Sequence, residues 1–271
     1  LTYNVYMEKN MKDFEKYYDF IKDDETKNSV KKIADKILYV NKNFTSAVTE
    51  FTNPYVAELS LPIINNYTVN FELFPSFEHC ERKVFILYPD YLKSIDKDEF
   101  ITGLRIYNRS KFKELKHGDY LGALMSLGID RNKTGDIYVY DDYADIVVHS
   151  DISDYILYNL DKIGHNKTEA EKIKVDDVSF KEQEHTILNI TTSSMRIDSI
   201  VKHITCKSRE AASNMIRSGN VKVNWRIEEK NASEIKEKDM ISISRYGRYK
   251  ISGISGITKS GKYKVEIRHY I

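Results

Sequence analysis

The chain has 271 residues, 41% apolar and 31% charged, with a mean hydropathy of −0.52. That is the composition of a soluble globular protein of about two domains. Its longest apolar run, Val84 to Tyr88, falls far short of the ~20 residues that a membrane span needs. No basic, apolar, small-residue succession opens the chain, so a secretory signal is not expected and the cytoplasm is. Cys80 and Cys206 lie far apart without a CxxC pair, which fits a reducing compartment and argues against a cysteine-built zinc site. The net charge of +1 averages two unlike parts. From Ser194 to Ile271, 17 basic residues face 8 acidic ones, or +9, while the remainder holds 25 against 33, or −8. A block that basic attracts polyanions.

In chain order, residues 1–66 read as helical. Phe14, Tyr17, Tyr18 and Ile21, then Val30, Ile33, Ala34, Ile37 and Leu38, recur at helical spacing, and Asn53-Pro54 reads as an N-cap with proline in the first turn. From Tyr67 the period changes to two (Tyr67, Val69, Phe71, Leu73), and Val84 to Tyr88 reads as a buried strand. There follow a strand at 101–107, a helix at 119–127 closed by Gly128, and hairpin strands at 136–140 and 144–148. A helix at 151–163 ends before Gly164, and a last strand spans 172–178. That β-α-β-β-α-β order is the ferredoxin-like split βαβ arrangement. The expected architecture is α+β: a helical region at 1–66, a ferredoxin-like domain at 67–180, a polar linker at 181–193 and a small basic module at 194–271.

In the basic module, Ile197, Ile200, Val201 and Ile204 give one apolar helical face. A second helix begins at Ser208, a good N-cap, and stops at Gly219. Ala212, Met215 and Ile216 should pack inward, while Arg209, Ser213 and Arg217, at i, i+4 and i+8, share another face. Short strands are expected around Val221–Val223, Ile241–Ile243 and Tyr263–Ile267, with a turn at Asn224-Trp225. The expectation is a helix pair on a small sheet, its cations on the side of the helices and turn. Guanidinium forks and ammonium charges match phosphate oxygens, and Ser and Asn add neutral hydrogen bonds.

The run Arg196-Ile-Asp-Ser-Ile-Val201, the stretch KSREAASNMIRSGNVKVN from Lys207 to Asn224, and Asp239-Met-Ile241 together resemble the S-four RNA-binding domain. The resemblance implies that Arg196, Lys207, Ser208, Arg209, Arg217, Lys222 and Asn224 face structured RNA, with Ser213 on the same helix face. Trp225 stands where that family usually has Gly. Either the turn is built differently, or the indole offers a base a stacking surface. Upstream, HGDYLGALMSLG from His117 to Gly128, followed by Arg131 and GDIYV from Gly135, is similar to the middle domain of the YlmH family. Glu78, Glu81-Arg82-Lys83, Phe51-Thr-Asn-Pro54, Gly247-Arg248, Thr258-Lys259 and Gly261-Lys262 extend the match downstream of about residue 50. The family likeness implies a bacterial, ribosome-associated RNA-binding protein acting on large subunits that hold stalled peptidyl-tRNA. It adds Arg248, Lys259 and Lys262 to the RNA surface, and Arg82, Lys83, His117 and Arg131 as secondary contacts. Gly118, Pro75-Ser76, Asp130 and Ile257 depart from the family pattern and leave this middle domain less basic than its relatives.

His117 and Asp119 could be drawn as an acid–base pair, but a helix N-cap explains them more simply. Neither GxGxxG nor GxxxxGK[ST] occurs, the seven histidines never reach metal-ligand spacing, and no cofactor or metal is expected. The leading reading is a non-catalytic RNA-binding factor for rRNA and tRNA. Its rival is a pseudouridine synthase or rRNA methyltransferase that uses the basic module for docking. Sixteen of the twenty tyrosines precede Ser194, so the acidic, tyrosine-rich portion also suits a protein partner.

Overall fold

The computed structural model describes residues 15–77, 80–110, 113–180 and 184–270. Phe14 of the first helical pattern, Glu78 of the family motif and residues 181–183 of the expected linker lie outside them. The chain divides into two compact units, residues 1–181 and 182–271.

In the first unit, helix α1 (Asp24–Asn43) starts where the Asp23 carboxylate accepts the Thr26 N–H, and ends at Phe44 in the left-handed conformation. Its Val30, Ile33, Ala34 and Ile37 are buried. Helix α2 (Pro54–Ile64) is capped by Asn53, which accepts from the Val56 N–H. Residues 1–66 are not wholly helical: β1 (Ala47–Val48) separates the helices and joins β2 (Val69–Phe74) and β3 (Val84–Pro89) in a sheet of order β1-β3-β2. Residues 67–89 therefore form a layer with the N-terminal helices rather than part of the ferredoxin-like sheet. The pleat explains why. Phe85 and Leu87 of β3 point into the helices, while Val84 and Ile86 point the other way, onto Ile101, Tyr138 and Val147.

The ferredoxin-like portion comprises β4 (Ile101–Asn108), α3 (His117–Ser126), β5 (Thr134–Val139), β6 (Tyr143–His149), α4 (Ser150–Asn159), β7 (Lys162–Ile163) and β8 (Asn166–Ile173). The order β5-β6-β4-β8, antiparallel throughout, is the split βαβ topology. Leu104, Ile106, Ile146 and Val148 face Tyr120, Leu124 and Ile156 of the two helices. Two boundaries differ from expectation. Helix α4 stops at Asn159, and the last strand lies at 166–173, because Gly164 (φ +61°) is the turn of a β7–β8 hairpin instead of a helix terminus. Asp145 is fully buried and bonded at 2.8 Å to both Nε and Nη2 of Arg105.

The second unit is a helix pair on a six-stranded antiparallel sheet. It runs β9 (His185–Thr192), α5 (Ile197–Thr205), α6 (Arg209–Arg217), β10 (Val221–Val223), β11 (Arg226–Ile227), β12 (Met240–Ile243), β13 (Gly247–Ile257) and β14 (Tyr263–Tyr270). The sheet order is β11-β10-β12-β13-β14-β9. The expected linker is mostly strand: β9 pairs with all of β14, from Tyr263 opposite Thr192 to Tyr270 opposite His185. Its alternation is weak in the sequence because only one face meets a core, through Ile190 and Leu188. Among the described residues, no helix is long and apolar enough to cross a membrane.

His149 closes β6 and is almost fully buried. Burial, together with the Lys133 ammonium, pushes its pKa down to about 4. The native state keeps this imidazole neutral, whereas the unfolded chain takes up a proton near pH 6.5. Stability should therefore fall as the pH drops from about 6.5 to about 4, by about 3 kcal/mol from this group. Urea denaturation across that range should show a steeper loss for the native chain than for His149→Gln; equal slopes would refute the assignment.

Candidate nucleic-acid interface

The centre of the basic module is an acidic residue. Asp198, in the first turn of α5, is 2% exposed. It accepts from Arg196 (Nε to Oδ1, 3.2 Å; Nη2 to Oδ2, 3.0 Å) and from Arg209 (Nε and Nη2 to Oδ2, 3.1 and 3.0 Å). Burial pushes this carboxyl up, but the two arginines outweigh it and hold it below its usual range. Both guanidiniums stay accessible, with side chains 42% and 60% exposed. Each spends Nε and Nη2 on the clamp, which leaves Nη1 to donate outward. Arg196 is the N-cap residue of α5, and Arg209 opens α6 after the Ser208 cap, so two helix starts meet at one carboxylate.

Arg217, at the far end of α6, is braced separately. With its amide oriented to suit its neighbours, Asn231 accepts from Arg217 Nε and Nη2 at 3.2 Å and donates to the Ser213 carbonyl at 3.3 Å. The segment carrying Asn231 is tied to α5, since the Ile197 and Asp198 N–H groups donate to the Ser233 and Asn231 carbonyls. Arg196, Arg209, Ser213 and Arg217 are thus brought together on the helix pair, with exposed Lys207 at its connection.

Other expected contacts have different jobs. The Ser208 hydroxyl accepts from the Ala211 N–H as a cap. Asn224 donates to Asp239 at 2.8 Å and accepts from the Met240 N–H at 2.9 Å, so it braces the turn against β12. Asn224 (φ 48°) and Trp225 (φ 65°) both take the left-handed conformation between β10 and β11, a type I′ arrangement. Trp225 thus occupies the backbone geometry that favours glycine, at a cost of about 1–2 kcal/mol. Lys222 and Arg248 are not on the helix side. Through Ser242 they are cross-strand neighbours on the opposite face of the sheet. Lys259 and Lys262 sit at the β13–β14 turn, closed by Thr258 N–H to the Lys262 carbonyl at 2.7 Å. Along the extended strand they lie roughly 30 Å from Arg248.

In the first unit, Arg82 and Arg131 are internal braces. Arg82 donates to the carbonyls of Thr134, Phe51 and Arg131, and burial lowers its pKa. Arg131 Nη1 donates to the Thr134 hydroxyl and to the Thr134 and Gly135 carbonyls. Lys83 is half-buried, and its backbone pairs with Thr52. His117 is the first residue of α3, whose N-cap is Lys116, and Asp119 accepts from the Lys116 N–H at 2.8 Å. That geometry is a helix start and not an acid–base pair. Sequence reasoning assigned no role to Asp198 or Asn231. The signal available was an acidic residue two positions after Arg196 in an otherwise basic block.

A buried carboxylate thus presents two oriented guanidiniums at the surface of a two-helix frame on an α+β protein, an arrangement suited to a polyanion such as RNA. Comparisons with known proteins agree. Residues 96–177 match the family model described as "Putative RNA-binding domain in YlmH", and residues 195–241 match the S4 domain. A relative from Bacillus subtilis (strain 168), "Ribosome-associated protein quality control protein P2", is 28% identical over 226 residues, covering 83% of this chain and 88% of its own. The structure of the cell division protein ylmH from Streptococcus pneumoniae superposes with a TM-score of 0.50 at 23% identity, over 58% of this chain and 96% of that one, a likeness of fold. Over these two regions the chain is similar to YlmH-type proteins.

Asp198→Asn should weaken the clamp and lower stability by about 1–2 kcal/mol, a modest figure because both guanidiniums are half exposed. A depressed carboxyl contributes fully at neutral pH and loses its contribution as the pH falls through its folded value. The gap between the two proteins in urea midpoint should therefore close below about pH 4; a gap that persists there would contradict the clamp.

Proposed function

We propose that this protein is a non-catalytic factor that binds structured RNA on the ribosome, in the cytoplasm. It holds rRNA or tRNA on large subunits that still carry stalled peptidyl-tRNA. The observation that carries the reading is the shared clamp on Asp198, which fixes Arg196 and Arg209 beside the Asn231-braced Arg217. Prefixed guanidiniums lose little side-chain entropy when they bind phosphate, and the start of α6 adds a favourable dipole end. The printed name of the Bacillus relative, ribosome-associated and concerned with quality control, supports the ribosomal setting. The arrangement suits holding more than transforming. Asp198 is committed to two arginines and held below its usual range, which makes it a poor general base.

Binding of large ribosomal subunits and of tRNA should be strongly salt-dependent. Arg209→Ala and Arg217→Ala should each weaken it and flatten the plot of log affinity against log salt by about 0.7–0.9 per lost phosphate contact. Unchanged affinity and slope in both variants would remove the helix pair as the RNA surface. A modified nucleoside appearing in rRNA after incubation with the protein would favour the enzyme reading.

A further inference from the structure

The pleat of the second unit's sheet sorts its residues cleanly. Val221, Ile241, Ile243, Tyr249, Ile251, Val265 and Ile267 face the helices and form the core. The alternate positions lie on the other face. Lys222 is opposite Ser242 and Ser242 opposite Arg248; Lys250 is opposite Arg268, and Lys264 lies four residues before Arg268 on the same strand. This row therefore carries Lys222, Arg248, Lys250, Lys264 and Arg268, against one acid, Glu266, whose carboxylate already accepts from the Ser252 hydroxyl at 2.8 Å. Lys250 and Lys264 have no ion-pair partner among the described residues. The face is separated from the clamped arginines by the full thickness of the domain: helix layer, core and sheet.

We infer that this outer sheet face is a second RNA-binding surface, which grips a sugar–phosphate backbone while the helix pair holds another segment. The inference rests on the proposed RNA-binding function but concerns a different set of side chains. Charge complementarity selects the ligand. Five cations against the one Glu266 carboxylate leave a net positive strip, not a pocket, in which Lys250 and Lys264 carry the charge without an ion-pair partner among the described residues. A strip of ammonium and guanidinium groups tracks a chain of phosphates without reading bases. Aromatic content is low: Tyr270 lies under the Arg248 guanidinium at 5.8 Å, with the His185 ring edge-on beside it at 6.0 Å. Binding here should therefore be tolerant of sequence and sensitive to salt. With RNA on both faces, the domain would join two RNA segments.

Stoichiometry separates this surface from the first. The full chain is titrated at low salt with a short RNA hairpin, too small to reach both faces, and the complexes are counted by native mass spectrometry. Lys250→Glu with Lys264→Glu should bind one hairpin fewer than the native chain and retain binding that Arg209→Ala with Arg217→Ala removes. Arg209→Ala with Arg217→Ala should leave the sheet-face hairpin in place. An unchanged count after the charge reversal, with circular dichroism showing an intact fold, would overturn the second surface and leave the helix-pair reading standing. Loss of nothing in the arginine variant, with one hairpin lost on charge reversal, would do the opposite.

Discussion

One carboxylate sets the geometry on which the proposed RNA surface depends. Asp198 is buried at the meeting of two helix starts, where a lone charge would be costly, and two guanidiniums compensate it. The same contact holds two like charges close together without mutual repulsion dominating, and gives both a fixed orientation. A surface of unconstrained arginines would have to order its long side chains upon meeting RNA. Here part of that ordering is complete in the free protein.

The rest of the second unit supports this arrangement. Asn231 extends the bracing to Arg217, and the segment that carries it is bonded to the backbone at the start of α5. Asp239 ties the Asn224 turn to β12 and also accepts from the Lys236 N–H at 2.7 Å. The polar residues in this family pattern thus divide into those that face outward and those that hold the outward ones in place. Asn224 and Ser208 fall in the second group. In the first unit the same division makes Arg82 and Arg131 braces, each donating to several backbone carbonyls and sharing that of Thr134.

The two sheets of the first unit show how one strand can serve two cores. Every residue of β3 is buried, since one side meets the N-terminal helices and the other meets the open face of the ferredoxin-like sheet. A run of consecutive apolar residues announces such a strand but does not name its partners.

Much was legible in the amino-acid order alone. Helical spacing marked α1, α5 and α6, the caps Asn53 and Ser208 marked helix starts, and the β-α-β-β-α-β succession marked the split βαβ unit. The charge division and the Lys207–Asn224 pattern marked the RNA-binding module. These features are local, so spacing and residue type suffice. Strand partners were not legible: β1, β9 and the long β13 were missed, and β2 and β3 were assigned to the wrong layer, because pairing joins residues distant in the chain. Nor was the job of each cation. Whether an arginine reaches outward, like Arg209, or inward to carbonyls, like Arg82, and whether Lys222 shares a face with Arg217, depends on pleat, crossing and burial. Only the assembled chain sets those.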